Sequence, residues 1–214
     1  MTTPPPFSLH FYRDQITLTR RVGVSLAHYP VDARDLLAAL RDLPIASGLL
    51  PIGRNDRPLH TLAWRHRQGR ACLTAYLPPW QQPLRLLDGR GREYRYTIPL
   101  PPTIFQGEER QYRLFALAGP PAGPDTPLYR YPLPDIYDHG GICSGDVTLP
   151  IAAADTLETA LDALFAARFH THLLNQRCRR YPDDIRRLLA DLDGAAAFPL
   201  DELLPAGCTL ANLL

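Results

Sequence analysis

The 214-residue chain is 45% hydrophobic and carries 23 basic against 22 acidic residues, a formal net charge of +1. That apolar fraction suffices for the core of one domain, or of one domain with an extension. Near-neutral charge excludes a protein that binds nucleic acid through a basic excess, and no apolar run is long enough for a membrane span or a signal peptide. The expectation is a soluble, cytoplasmic protein.

After Met1-Thr-Thr-Pro-Pro-Pro6, alternation at Phe7, Leu9 and Phe11, continued through Ile16, Leu18, Val22, Val24 and Leu26, predicts a β-hairpin turning near Arg13-Asp14. Asp32 is placed to cap a helix over about 33–42, ended by Pro44. Strands follow at Leu59–Arg65 and Arg70–Leu77. The basic run Arg65-His-Arg-Gln-Gly-Arg70 between them reads as a solvated turn. Pro78-Pro79-Trp80 breaks the chain, and further strands at Tyr94–Ile98 and Gln111–Leu117 complete an antiparallel meander over 59–117. Asp155-Thr-Leu-Glu158 resembles a capping box opening a helix over 156–174, with Leu157, Leu161, Leu164, Phe165 and Phe169 on one face. A second helix opens at Pro182-Asp183-Asp184, buries Ile185, Leu188, Leu189 and Leu192, and stops at Gly194. The expected division is an extension over 1–57 packed on a core over 58–194, then an apolar tail over 195–214 that reads as a docking segment.

Cysteines stand at 72, 143, 178 and 208, far apart and without a C-x-x-C pair, so reduced thiols are expected. Cys143 differs from the others. It lies in Tyr131-Pro-Leu-Pro-Asp-Ile-Tyr-Asp-His-Gly-Gly-Ile-Cys143-Ser-Gly-Asp-Val-Thr-Leu-Pro150, bracketed by prolines and flanked by Gly140-Gly141 and Gly145. Such a segment is neither a helix interior nor a central strand. Ile142 can pin it while the thiol faces outward, which suits a nucleophile.

The segment resembles the active site of ubiquitin-conjugating enzymes. There, His-Pro-Asn-Ile precedes a Gly-x-Ile-Cys turn; here the runs are Leu133-Pro134-Asp135-Ile136 and Gly140-Gly141-Ile142-Cys143. With Ser47-Gly-Leu-Leu-Pro51, Ile98-Pro-Leu-Pro101, Leu114-Phe-Ala116, Thr126-Pro-Leu-Tyr129 and Phe169-His-Thr-His172, the chain resembles the bacterial ubiquitin-conjugating-like PRTRC system protein B family, or prokaryotic ubiquitin-conjugating family D. The resemblance implies an α/β (α+β) fold, an antiparallel sheet backed by helices. It implies a thioester carrier that takes a ubiquitin-like protein from a ThiF-like activating enzyme, in a system with a JAMM-type protease. Neither metal nor organic cofactor is required of the carrier itself.

In that family the asparagine supports the loop and the oxyanion formed during amine attack; Asp135 stands here instead, and an ionised carboxylate can only accept hydrogen bonds. The expectation is that Asp135 braces the loop by accepting backbone N–H groups, leaving thioester loading intact and placing isopeptide formation in question. Leu133 replaces a histidine of structural role. Asp146, three residues past the thiol, is a candidate to hold an incoming lysine and accept its proton; Asp138 and His139 are weaker candidates, and His139 is also placed to favour the thiolate. All 23 basic residues are arginine. A GC-rich coding sequence accounts for most of that, and an enzyme handling an activated thioester also benefits from lacking amines that would capture its cargo.

Two other readings remain open. One is a non-catalytic module of the same fold that holds a ubiquitin-like protein. The other takes His170-Thr-His172 and Asp183 as zinc ligands of a JAMM-type protease, although Leu173 and Arg180 stand where that motif has proline and serine. A structural histidine pair at a helix end accounts better for those residues.

Overall fold

The computed structural model describes residues 7–11, 15–22, 25–36, 50–52, 58–67, 70–145 and 147–214. The chain divides into two compact units, Met1–Ala46 and Ser47–Leu214. In the first, β1 (Phe7–Phe11), β2 (Ile16–Val22) and β3 (Ser25–Val31) form an antiparallel sheet, with Phe11 opposite Ile16 across the expected hairpin. The turn at Arg13-Asp14 lies outside the described residues. Asp32 caps a helical turn over 33–36 by accepting the Arg34 N–H at 2.7 Å, and the rest of the expected helix also lies outside them.

The second unit is mostly sheet, with few helices, an α+β architecture. Its larger sheet contains β4 (Leu50–Ile52), β5 (Leu59–Arg67), β6 (Arg70–Leu77), β9 (Thr103–Glu108), β10 (Gln111–Ala116), β11 (Pro127–Arg130) and β13 (Pro205–Thr209). They are ordered β13-β11-β10-β9-β6-β5-β4, every neighbour antiparallel. A smaller sheet holds β7 (Trp80–Leu87), β8 (Glu93–Leu100) and β12 (Arg168–His170), with β12 parallel to β7. Helix α1 (Leu157–Ala166) packs on β7, and α2 (Ile185–Leu192) on β8.

The expected meander over 59–117 is therefore not continuous: β7 and β8 leave the larger sheet, and β6 pairs with β9 instead. β9 was not expected because Thr103–Phe105 and Gln106-Gly107 are buried without alternation. Both sheet faces are covered. Leu73, Ala75, Leu77, Phe105, Leu114 and Ala116 enter the main core, while Tyr76, Ile104 and Phe115 enter a smaller one closed by Leu210 and Leu213. A strand covered on both faces loses its period-2 signal. β7 hides behind its prolines; Pro83 is tolerated because β12 pairs only with Arg85–Leu87, leaving Pro83 on an uncovered stretch.

Helix α1 ends at Ala166 rather than near 174, and its capping box does not form. The Thr156 hydroxyl is donated to the carbonyls of Ile151 and Ala153, and the Ala167 backbone turns extended. Phe169 has the i+4 spacing of a helix-face residue but reaches the core from β12, where its ring lies 6.2 Å from that of Phe165. Helix α2 follows expectation, with Asp184 capping it and Gly194 (φ +76°) beyond its end. The tail is part of the sheet: β13 pairs with β11, and the buried Gln106 amide donates to the Leu213 carbonyl at 2.7 Å. Among the described residues no helix is long and apolar enough to cross a membrane.

Candidate functional site

The proline-bracketed segment folds as a tight loop stitched to β10. Tyr131, Leu133 and Ile136 are fully buried and anchor its first half. The chain then turns through Tyr137–Gly140, with the Gly140 N–H donated to the Tyr137 carbonyl at 2.9 Å and the Tyr137 N–H to the Gly141 carbonyl at 2.8 Å. Gly140 takes φ +81°, and a Cβ there would lie 2.5 Å from the Phe115 ring, so the turn admits only glycine. Its return limb borders the part of β10 that β11 leaves free: Leu114 N–H donates to Gly140 O (2.9 Å), and Ile142 N–H to Tyr112 O (3.2 Å). Ile142 packs on the core, and Cys143 follows it, partly exposed.

Asp135 is buried, turned inward beneath the thiol, with a left-handed φ of +61°. Its carbonyl accepts the Cys143 N–H at 2.7 Å. Its Oδ2 accepts the His170 N–H at 2.7 Å. Pro134 is buried beside it. Burial raises the Asp135 carboxyl above the ordinary carboxylate value, opposed by the His170 N–H and by the imidazoles of His172 and His170.

The sequence reading did not join His172 to the thiol. β12 ends at His170, and two residues on, His172 places Nε2 3.4 Å from Cys143 Sγ. Its Nδ1 lies 3.1 Å from Asp135 Oδ1, a close contact that falls short of an aligned hydrogen bond, and Oδ1 has no hydrogen-bond partner among the described residues. Thiol, imidazole and carboxylate thus form a chain of contacts across loop and strand. The histidine pair was visible in the sequence. Assigning it to the end of a long helix hid its neighbours, and it does not cover a helix end.

On the other side of the thiol, Tyr137 is exposed. Its phenol is held above the usual value, first by its hydrogen bond with Cys143, then by the charge that thiol carries when ionised. His139 stacks on Tyr137 (centroids 5.4 Å apart, planes 13° apart) and not on the sulfur. Asp138 is held by Arg177 at 2.8 Å and Arg130 at 2.9 Å. Tyr137, His139, Leu173, Gln176 and Arg177 line an open groove of about 590 Å³, whose link to the thiol is Tyr137. Asp146 lies outside the described residues.

The other cysteines lie elsewhere and are not in disulfides. Cys178 is fully buried and donates to the Tyr181 carbonyl at 3.4 Å; burial pushes its thiol up, and that of Cys208 likewise. His170 and His172 both face Asp135. Among the described residues no group of three or more His, Cys, Asp or Glu is placed to hold a metal ion, so the described geometry gives the zinc-protease reading no ligand set.

No curated protein and no solved structure matches the chain. Residues 57–206, well over half of it, match prokaryotic E2 family D. This stretch contains the loop of Cys143, the buried Asp135 and the His170-Thr-His172 strand end. On that match the chain belongs to prokaryotic E2 family D.

Proposed function

We propose that the protein accepts a ubiquitin-like protein as a thioester on Cys143 from a ThiF-like activating enzyme and passes it to an acceptor. The observation that carries this reading is the setting of Cys143. It is a partly exposed thiol on a loop fixed by backbone bonds to β10, with the His172 imidazole 3.4 Å from sulfur and Tyr137, which lines an open groove, in contact with it. The thiolate attacks the activated carbonyl, the donor's thiolate leaves, and the cargo remains on Sγ until an acceptor displaces it. Membership of the family makes a ubiquitin-like protein and its activating enzyme the partners of choice. A PRTRC-type system would add a JAMM-type protease.

Tyr137 belongs both to the groove and to the thiol's surroundings. The groove therefore leads an extended C-terminal tail toward sulfur, with its walls made by the Tyr137–His139 stack and Leu173. Asp135 is turned inward to the histidines and takes no part in oxyanion binding. Asp146 keeps the role of holding an incoming amine.

The test is a loading reaction with activating enzyme, ubiquitin-like protein and ATP, resolved on a non-reducing gel. A wild-type adduct that reductant removes and that Cys143→Ala lacks supports the carrier. Binding of the same partners without any adduct would leave a non-catalytic module on this fold.

A further inference from the structure

We propose that His172, oriented by Asp135, is the proton-transfer group of the Cys143 site. The inference rests on Cys143 being the nucleophile, and deepens that reading by naming the base.

The argument begins with the carboxylate. Asp135 is 4% exposed and its side chain meets two donors: the His170 N–H at Oδ2 and the Nδ1 edge of His172 at Oδ1. A buried carboxylate oxygen without a hydrogen bond is costly, and among the described residues Oδ1 is such an oxygen, facing one imidazole nitrogen 3.1 Å away. A small ring rotation aligns the bond; catalytic contacts are commonly loose before substrate arrives. An acceptor beside Nδ1 selects the tautomer with its proton on that nitrogen. Nε2 is then left with a lone pair, and Nε2 is the nitrogen 3.4 Å from sulfur. A histidine kept for packing would be buried. His172 is half exposed, and both its ring nitrogens are committed to polar neighbours.

The remaining groups around this pair do not compete for the role. Tyr137 contacts the sulfur from the groove side and its phenol is held neutral. The His170 ring lies 6.2 Å from that of His172, with Nδ1 3.6 Å from Asp135 Oδ2. Arg168, which shares a small cavity with Cys143, is turned to Glu93 at 3.1 Å.

During loading, the Cys143 S–H proton passes to His172 Nε2, the sulfur attacks the thioester carbonyl of the activating enzyme, and that enzyme's sulfur leaves and takes the proton from Nε2. During discharge, an acceptor amine attacks the carbonyl of the Cys143 thioester and gives its surplus proton to Nε2. The C–S bond breaks and the Cys143 thiolate recovers a proton from His172. Each cycle leaves the imidazole as it began.

The test uses the full chain in two arms. In the first, iodoacetamide alkylation at neutral pH is followed by mass spectrometry of the Cys143 peptide, because Cys72, Cys178 and Cys208 are not in disulfides either. His172→Ala should alkylate on the order of 10-fold more slowly, and added imidazole should restore much of the rate. His172→Gln should stay slow, while His170→Ala should match wild type and ignore imidazole. In the second arm, His172→Ala should load and discharge on the order of 100-fold more slowly, again with imidazole rescue. A His172→Ala protein that alkylates and discharges at the wild-type rate, or that slows without responding to imidazole while His172→Gln is normal, overturns the proposal. A wild-type protein that forms no adduct overturns the carrier reading instead, and the alkylation arm then decides on His172 by itself.

Discussion

The backbone N–H of Cys143 is donated to the carbonyl of Asp135 at 2.7 Å, while the side chain of the same aspartate reaches past it to His170 and His172. One residue therefore fixes both the thiol's backbone and the imidazole beside it. An asparagine would not serve here, because an amide offers one accepting oxygen where two donors point. Asp135→Asn, although nearly isosteric, should cost about 1–3 kcal/mol by leaving a buried group mismatched. Urea unfolding should show a lower midpoint with unchanged slope. A variant as stable as wild type would mean that one of the two contacts carries no weight.

Gly140 sets the turn ahead of the thiol. Alanine there must hold a left-handed φ and place its Cβ 2.5 Å from the Phe115 ring and 3.0 Å from the Leu114 carbonyl. Gly91 has a similar φ of +77° with open space around it. Gly91→Ala should cost about 1 kcal/mol from the backbone alone, and Gly140→Ala clearly more. Thermal melts of the two variants compare the costs, and Cys143 alkylation should respond only to the Gly140 change.

Arg177 is 3% exposed and its charge is balanced by Asp138, which also meets Arg130. Asp138→Ala strands a buried guanidinium. Removing one partner of a fully buried pair costs roughly 3–5 kcal/mol. Because the Asp138 side chain is half exposed, about 2 kcal/mol is expected here. Arg177→Met in the same background should recover stability, since it removes the stranded charge; a double variant weaker than the single would contradict this.

Alkaline pH offers a separate check. Burial pushes the Tyr112 phenol up to about 12, from an ordinary value of 10. The unfolded chain therefore releases this proton first, and between pH 10 and about 12 stability falls as pH rises. Tyr76 and Tyr96 are shifted up by burial too and add to the same limb. Tyr112→Phe should shallow that limb, and at neutral pH it should cost about 1 kcal/mol for the lost bond to the Pro150 carbonyl.

What the sequence revealed depended on how local its cause was. The loop could be read because prolines and glycines act on the backbone where they stand. Helix α2 could be read because its apolar spacing and its Asp184 cap lie within a dozen residues. β9 could not, because two covered faces erase alternation, and β12 could not, because Phe169 keeps a helical spacing to Phe165 while pairing with a strand some 80 residues earlier. That second misreading is the one that separated His172 from Cys143. The residues of the site lie within the sequence's reach one at a time, but their meeting depends on a long-range parallel pair.

The pairing of β11 with β13 closes its loop over about 75 residues, and β12 must find β7 across a similar distance. Such contacts form late, after the local hairpins, because the entropy of closing long loops comes before any gain from pairing. A chain caught part-way through folding would hold the hairpin of Cys143 without the imidazole next to it. The contact between thiol and imidazole thus depends on a late, long-range pairing, and a partly unfolded copy holds Cys143 without the proton-transfer partner proposed for it.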